Sequence, residues 1–171
     1  MAEKTRDQGK TPSFLKPVVD AIGGRRFVQV YMKIASPIDR RLIPMTNGRL
    51  STTFGQQVLV IEHVGAKSGK KRRTPILFLR DGDNIVLVAS YGGHKRHPAW
   101  YFNVKANPLV RVWAKELSGW YTARIAAGEE RERLWQDAVE FYPGYAKYRT
   151  YTDREIQLFV LTPEPNAPPK S

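Results

Sequence analysis

Apolar residues fall into two textures along this chain, and the change comes near residue 57. Before it, Leu15, Val18, Val19 and Ile22, then Phe27, Val30, Tyr31 and Ile34, recur at helical spacing, with Gly23-Gly24 interrupting the stripe. That spacing predicts an N-terminal helical segment within residues 13–45. After it, β-branched and aromatic residues gather in short runs at 58–64, 74–79, 85–89, 109–113, 120–125 and 156–161, which predict six strands. Asp81-Gly82-Asp83 separates two of the runs, and a glycine there permits the positive φ of a tight hairpin, so that pair is antiparallel.

Helices are predicted between the strands at two places. Asn107-Pro108 ends a short one over residues 98–106, because the residue before proline is pushed out of the α region. Residues 128–141 place Leu134, Trp135, Ala138 and Val139 on one face of a second, which Pro143-Gly144 ends. The elements do not alternate as βαβ units. The expected fold is therefore mainly β with covering helices (α+β), a split or closed barrel over residues 46–162. The polar start, residues 1–12, and the Pro-rich end, residues 163–171, are expected to be mobile tails.

Composition narrows the function. A chain of 171 residues suits one domain and one main site. It has no Cys, which excludes disulfides, thiolate metal sites and cysteine nucleophiles. A net charge of +12 favours an anionic partner: nucleic acid, an acidic membrane surface or a phosphorylated small molecule. The opening MAEKTRDQGK lacks a secretory signal's apolar core and no run reaches a membrane span, so a cytoplasmic protein is expected. Lys16, Arg25, Arg26 and Lys33 flank the N-terminal stripe. Such a helix can lie on anionic lipid at the inner face of the membrane, or simply cover a core.

Three segments hold candidate chemistry. Gly65-Ala66-Lys67-Ser68-Gly69-Lys70-Lys71-Arg72-Arg73-Thr74-Pro75 places five cations in seven positions on a glycine-containing turn. Amides, a hydroxyl, Lys and Arg there can cradle phosphate or carboxylate, or the segment can be a solvated hairpin turn. Ala89-Ser90-Tyr91-Gly92-Gly93-His94 leaves a strand through paired glycines and runs on through His97 to Pro98-Ala99-Trp100 at a helix start. This connection lets backbone approach a flat ligand, with Trp100 as an apolar wall, or it is an ordinary strand-to-helix link. His94 and His97 have no third ligand at convincing spacing, so no metal is expected. Tyr142, Tyr145, Tyr148 and Tyr151, spaced by three, can wall an acceptor pocket or belong to the core.

No Ser-His-Asp ordering, nucleophile elbow or paired carboxylate stands out, which argues against hydrolysis. Hydride transfer needs no protein nucleophile, since the cofactor carries the reaction and the protein holds two flat molecules together.

Taken in order, GAKSGKKRRTP, ASYGGHKRHPAWYFNVKANP and FYPGYAKYRTYTDR resemble the deazaflavin-dependent nitroreductase family of actinobacteria. The resemblance covers roughly residues 46–162 and implies a flavin-reductase-like split barrel that binds coenzyme F-420 and reduces quinones or nitro compounds. By position it implies that Lys67, Ser68, Gly69, Arg72, Arg73, Thr74 and Pro75 hold the coenzyme's phosphate and oligoglutamate tail. Ala89, Ser90, Tyr91, Gly92, Gly93, His94, Pro98, Trp100 and Asn103 would line its ring and linker. Ser90, Tyr142, Tyr145 and Tyr148 would border and orient the acceptor. Family members nearest the nitroreductase carry Lys where this chain has Tyr91, with Lys95 or Arg96 as substitutes. Three other readings stay open: an FMN-binding split-barrel reductase, a non-catalytic coenzyme carrier and a nucleic-acid binder, the last ranked low because the cations form a compact turn and no nucleic-acid motif is present.

Overall fold

The structure is a computed structural model that describes residues 36–52 and 57–165. Of the predicted helical segment at residues 13–45, residues 13–35, with the membrane reading, lie outside the described residues. Six strands, β1 (Val58–Val64), β2 (Lys71–Asp81), β3 (Asn84–Val88), β4 (Leu109–Trp113), β5 (Gly119–Ile125) and β6 (Leu158–Pro163), close an antiparallel barrel in the order β1-β2-β3-β6-β5-β4. β4 returns to β1 through Val60 opposite Trp113 and Ile61 opposite Val112. This is the α+β barrel that the strand pattern predicts.

Alternation along each strand sorts side chains inward and outward. Leu59, Ile61, Ile76, Phe78, Ile85, Leu87, Val110, Val112, Tyr121, Phe159 and Leu161 fill the interior. On the outer face of β3 and β6, Val86, Val88, Leu158 and Val160 meet Leu134, Trp135 and Ala138 of α3 (Gly128–Phe141) and Tyr145 and Tyr148 of α4 (Gly144–Arg149). β3 is thus buried on both faces, which explains its unbroken apolar run. One end of the barrel is stopped by α2 (Ala99–Ala106), whose Trp100, Tyr101 and Val104 reach into the interior cluster.

Helix α1 (Ser36–Met45), at the end of that segment, covers β1 and β2 through Ile43, which clusters with Val58, Val60 and Trp113. Its Asp39 is buried and accepts from Thr52 N–H at 2.7 Å and Thr52 Oγ1 at 3.0 Å. Among the described residues no helix is long and apolar enough to cross a membrane.

Candidate functional site

The turn between β1 and β2 closes on backbone bonds: Gly65 N–H donates to Lys70 O at 2.9 Å and Gly69 N–H to Gly65 O at 2.8 Å. Gly65 is there for space. A Cβ on it would stand 2.5 Å from Ser68 Oγ and 3.3 Å from Arg72 Nε, so that hydroxyl and guanidinium converge over its Cα. Neither Lys67 nor Arg72 makes a side-chain hydrogen bond or ion pair with a described residue, and both are exposed. Two free cations beside a hydroxyl make a cradle for phosphate or carboxylate oxygens.

The structure corrects one feature of the predicted turn. β2 begins at Lys71, three residues earlier than expected, so Lys71, Arg72 and Arg73 are strand residues whose side chains alternate across the sheet. Arg72 and Thr74 share the inward face with Ile76 and Phe78. Arg73 points outward with buried Pro75, donates from Nε to Glu62 Oε2 at 2.9 Å and lies 4.8 Å over the Trp113 ring. Its guanidinium is engaged away from the cradle.

Beneath the turn runs a buried polar chain. Ala66 N–H donates to Asn103 Oδ1 at 2.9 Å, Asn103 Nδ2 lies 3.2 Å from His63 Nδ1, and His63 Nε2 lies 3.0 Å from Thr74 Oγ1. Asn103 thereby fastens α2 to the cradle. His63, at an inward position of β1, was not distinguished by its sequence context; a polar residue in phase with Leu59 and Ile61 is the signal that marks it. Burial, reinforced by the nearby Arg72 cation, pushes its imidazole down to about 4. In the unfolded chain the ring takes up its proton near pH 6.5, so between about pH 6.5 and 4 the unfolded state binds more protons. Stability is therefore complete above pH 6.5 and falls as pH drops toward 4, by about 2–3 kcal/mol from this group. Denaturant unfolding at pH 7 and pH 4.5 should show the difference shrink in His63→Asn.

The glycine connection is a left-handed bend. Ser90 is right-handed (φ −72°, ψ −42°), and Tyr91, Gly92 and Gly93 follow at φ 50°, 62° and 74°. Gly93 N–H donates to Ser90 O and His94 N–H to Tyr91 O, while the Tyr91 and Gly92 amides bond to no described residue. A right-handed residue followed by a left-handed one turns successive amides toward a common point, which suits an anionic or carbonyl oxygen. Arg154, which no motif in the sequence marks, holds this bend: it donates to Ser90 O at 2.7 Å, Ala89 O at 3.2 Å and His94 O at 2.9 Å. Among the described residues its guanidinium has carbonyl partners and no carboxylate. It also lies 3.3 Å from His97 Nδ1, and burial with the Arg154 and Lys105 charges lowers the pKa of that ring. Tyr91, Lys95, Arg96, Phe102 and Arg154 border a cleft of about 590 Å³.

The remaining candidates divide between bend and core. Ser90 is buried and its hydroxyl has no described partner. Pro98 caps α2 and Ala89 lies in the barrel interior. Trp100 packs with the barrel interior, its ring 5.5 Å from Phe159. Tyr142, Tyr145 and Tyr148 do come together, with ring centroids 5.2–6.2 Å apart and the hydroxyls of Tyr142 and Tyr148 3.2 Å apart. Tyr145 and Tyr148 belong to the core on the outer face of β3 and β6, and burial raises both phenol pKa values. This cluster reaches the bend through Gly93, whose Cα lies against Tyr148 O and the Tyr151 ring.

Comparison with known proteins decides what the barrel is. A family model described as F420H(2)-dependent quinone reductase matches residues 35–163. The chain belongs to the F420H(2)-dependent quinone reductase family. It is an F-420-dependent oxidoreductase, and coenzyme F-420 is its cofactor. An F420H(2)-dependent quinone reductase of Mycobacterium tuberculosis is 36% identical over 122 residues, which are 68% of this chain and 82% of that one. A solved F420-H2 dependent reductase, FDR-A, is 46% identical, with a TM-score of 0.56 over 61% of this chain and 93% of its own. A solved structure described as a domain-swapped dimer is 42% identical, with a TM-score of 0.59 over 74% of this chain and 99% of its own. The family is thus named for quinone reduction, where the sequence resemblance gave the nitroreductase label.

Proposed function

We propose that this reductase holds reduced coenzyme F-420 along α2, with the anionic tail at Lys67, Ser68 and Arg72 and the ring beside the Ser90–Gly93 bend, and reduces a quinone or another conjugated acceptor such as a nitro compound. One observation carries the reading. The two loops that could hold the two ends of such a molecule are joined to the same short helix, one by the Asn103–Ala66 bond and the other by chain continuity through Pro98. The residues present suit the cofactor: the cradle's Lys67 and Arg72 and the Tyr91 and Gly92 amides, none with a partner among the described residues, await negative oxygen, and the Arg154 charge, spent on carbonyls of the bend, favours it there.

When bound, the coenzyme supplies a hydride, and the acceptor takes that hydride and a proton to become a quinol. The chain's own part is to bind and orient. Lys67 and Arg72 neutralise the tail, the Tyr91 and Gly92 amides and Arg154 fix the bend around the ring's polar edge, and Ser90 and Tyr142 offer hydroxyls at the rim where an acceptor would stack. Tyr145 and Tyr148 support that rim from below, their phenols kept protonated by burial.

The test is a fluorescence titration with coenzyme F-420, followed by absorbance assays of the reduced coenzyme with a quinone and with a nitroaromatic. Saturable binding and quinone-dependent oxidation of the coenzyme are expected. Binding without turnover of either acceptor would make the protein a carrier.

A further inference from the structure

The polar chain under the cradle fixes the position of one proton. The Ala66 amide can only donate, so Asn103 Oδ1, at 2.9 Å, is its acceptor. The Asn103 nitrogen therefore faces His63 Nδ1 at 3.2 Å, where it donates and Nδ1 accepts. The buried ring is neutral, so its single proton sits on Nε2 and is donated to Thr74 Oγ1 at 3.0 Å. Having accepted there, the Thr74 hydroxyl turns its own hydrogen away from His63, and no described residue receives it. Thr74 is half-buried on the inward face of β2, on the same face as Arg72.

We propose that His63 is a positioning residue for the coenzyme: through Thr74 it presents a hydroxyl donor to a phosphate or carbonyl oxygen of the bound coenzyme, and through Asn103 it holds the cradle against α2. The inference rests on the coenzyme site proposed above. It assigns work to a residue that touches neither the coenzyme nor the acceptor. A donor aimed by a neutral imidazole needs no reorientation when the ligand arrives, which is the advantage of a locked hydrogen-bond chain over a free hydroxyl.

The variants separate this role from simple packing. His63→Asn keeps an acceptor near Asn103 but does not reach Thr74, while His63→Gln places an amide donor near Thr74. Thr74→Val removes the hydroxyl at constant shape, and Thr74→Ser retains it. By fluorescence titration, His63→Asn and Thr74→Val should each weaken coenzyme binding roughly tenfold, with the double variant no weaker than either alone. His63→Gln and Thr74→Ser should recover most of the affinity. Additive losses, or unchanged affinity in Thr74→Val, would overturn the role. Nitrogen-15 NMR of labelled histidine in the full chain at neutral pH checks the proton without any ligand: Nε2–H with bare Nδ1 is expected, and the other tautomer refutes the proposal. A wild-type protein that ignores the coenzyme removes the site proposed above together with this role, whereas a wild type that binds as tightly as its Thr74→Val variant removes this role alone.

Discussion

Replacing Lys67 and Arg72 together by alanine will weaken coenzyme F-420 binding by at least about a hundredfold. A hydrogen bond to a charged group contributes about 1.5–3 kcal/mol, so two lost cation contacts to one anionic tail amount to about 3–6 kcal/mol. Neither side chain has a hydrogen-bond or ion-pair partner among the described residues, so no described residue competes for them and little stability should be lost with them. Arg73→Ala is the matched control. Its guanidinium is engaged by Glu62 and Trp113 on the outer face, and its removal should change coenzyme affinity by less than about tenfold, costing on the order of 1 kcal/mol of stability at this exposed pair. Fluorescence titrations at two ionic strengths measure all three proteins. A loss in Arg73→Ala as large as that in the double variant would place the tail on the outer face of β2.

The contrast between Arg72 and Arg73 also marks where sequence reading stops. A run of Lys and Arg looks the same in a turn as in a strand that extends past the core, because beyond the barrel interior the inward face no longer demands apolar residues. Only the pairing of His63 with Arg72 and Glu62 with Arg73 assigns the two arginines to opposite faces. β3 and β6 were legible for the reverse reason: each is covered inside by the barrel core and outside by α3 and α4, so both faces demand apolar residues. α1 left no stripe to read. Ser36, Asp39 and Ile43 are its buried residues, and it is held as much by the bonds of Asp39 to Thr52 as by packing.

The site itself was legible at the level of segments and obscure at the level of contacts. Glycines at 65, 92 and 93 announce close approach or positive φ in the sequence, and the structure gives each a reason. His63 and Arg154 do not announce themselves, since their partners lie 40 residues away at Asn103 and 64 away at Ser90. Tyr142, Tyr145 and Tyr148 were correctly placed together by their spacing. Spacing could not say that two of them would be absorbed by the core, which depends on how α4 meets β3 and β6.

Gly93→Ala should be the most damaging change at the bend, because it combines a conformational and a steric cost. At φ +74° an L side chain is strained by about 1–2 kcal/mol. The new Cβ would also stand 2.6 Å from Tyr148 O and 2.9 Å from Tyr151 Cβ, contacts with atoms fixed by α4 and its end that have no rotamer in which to retreat. Forcing such an overlap costs typically about 1–3 kcal/mol more, so a total loss of about 2–5 kcal/mol is expected in denaturant unfolding. Gly69→Ala separates the two terms. Its φ of +64° carries the same conformational cost, but no atom lies within 4 Å of the added methyl, so it should lose only about 1–2 kcal/mol. Equal losses in the two variants would mean that α4 yields freely to the bend, and that the tyrosine rim is not rigidly coupled to the Ser90–Gly93 amides. A larger loss in Gly93→Ala, accompanied by weaker coenzyme binding in protein that remains folded, would show that the contact with α4 sets the shape of the bend on which the ring is proposed to rest.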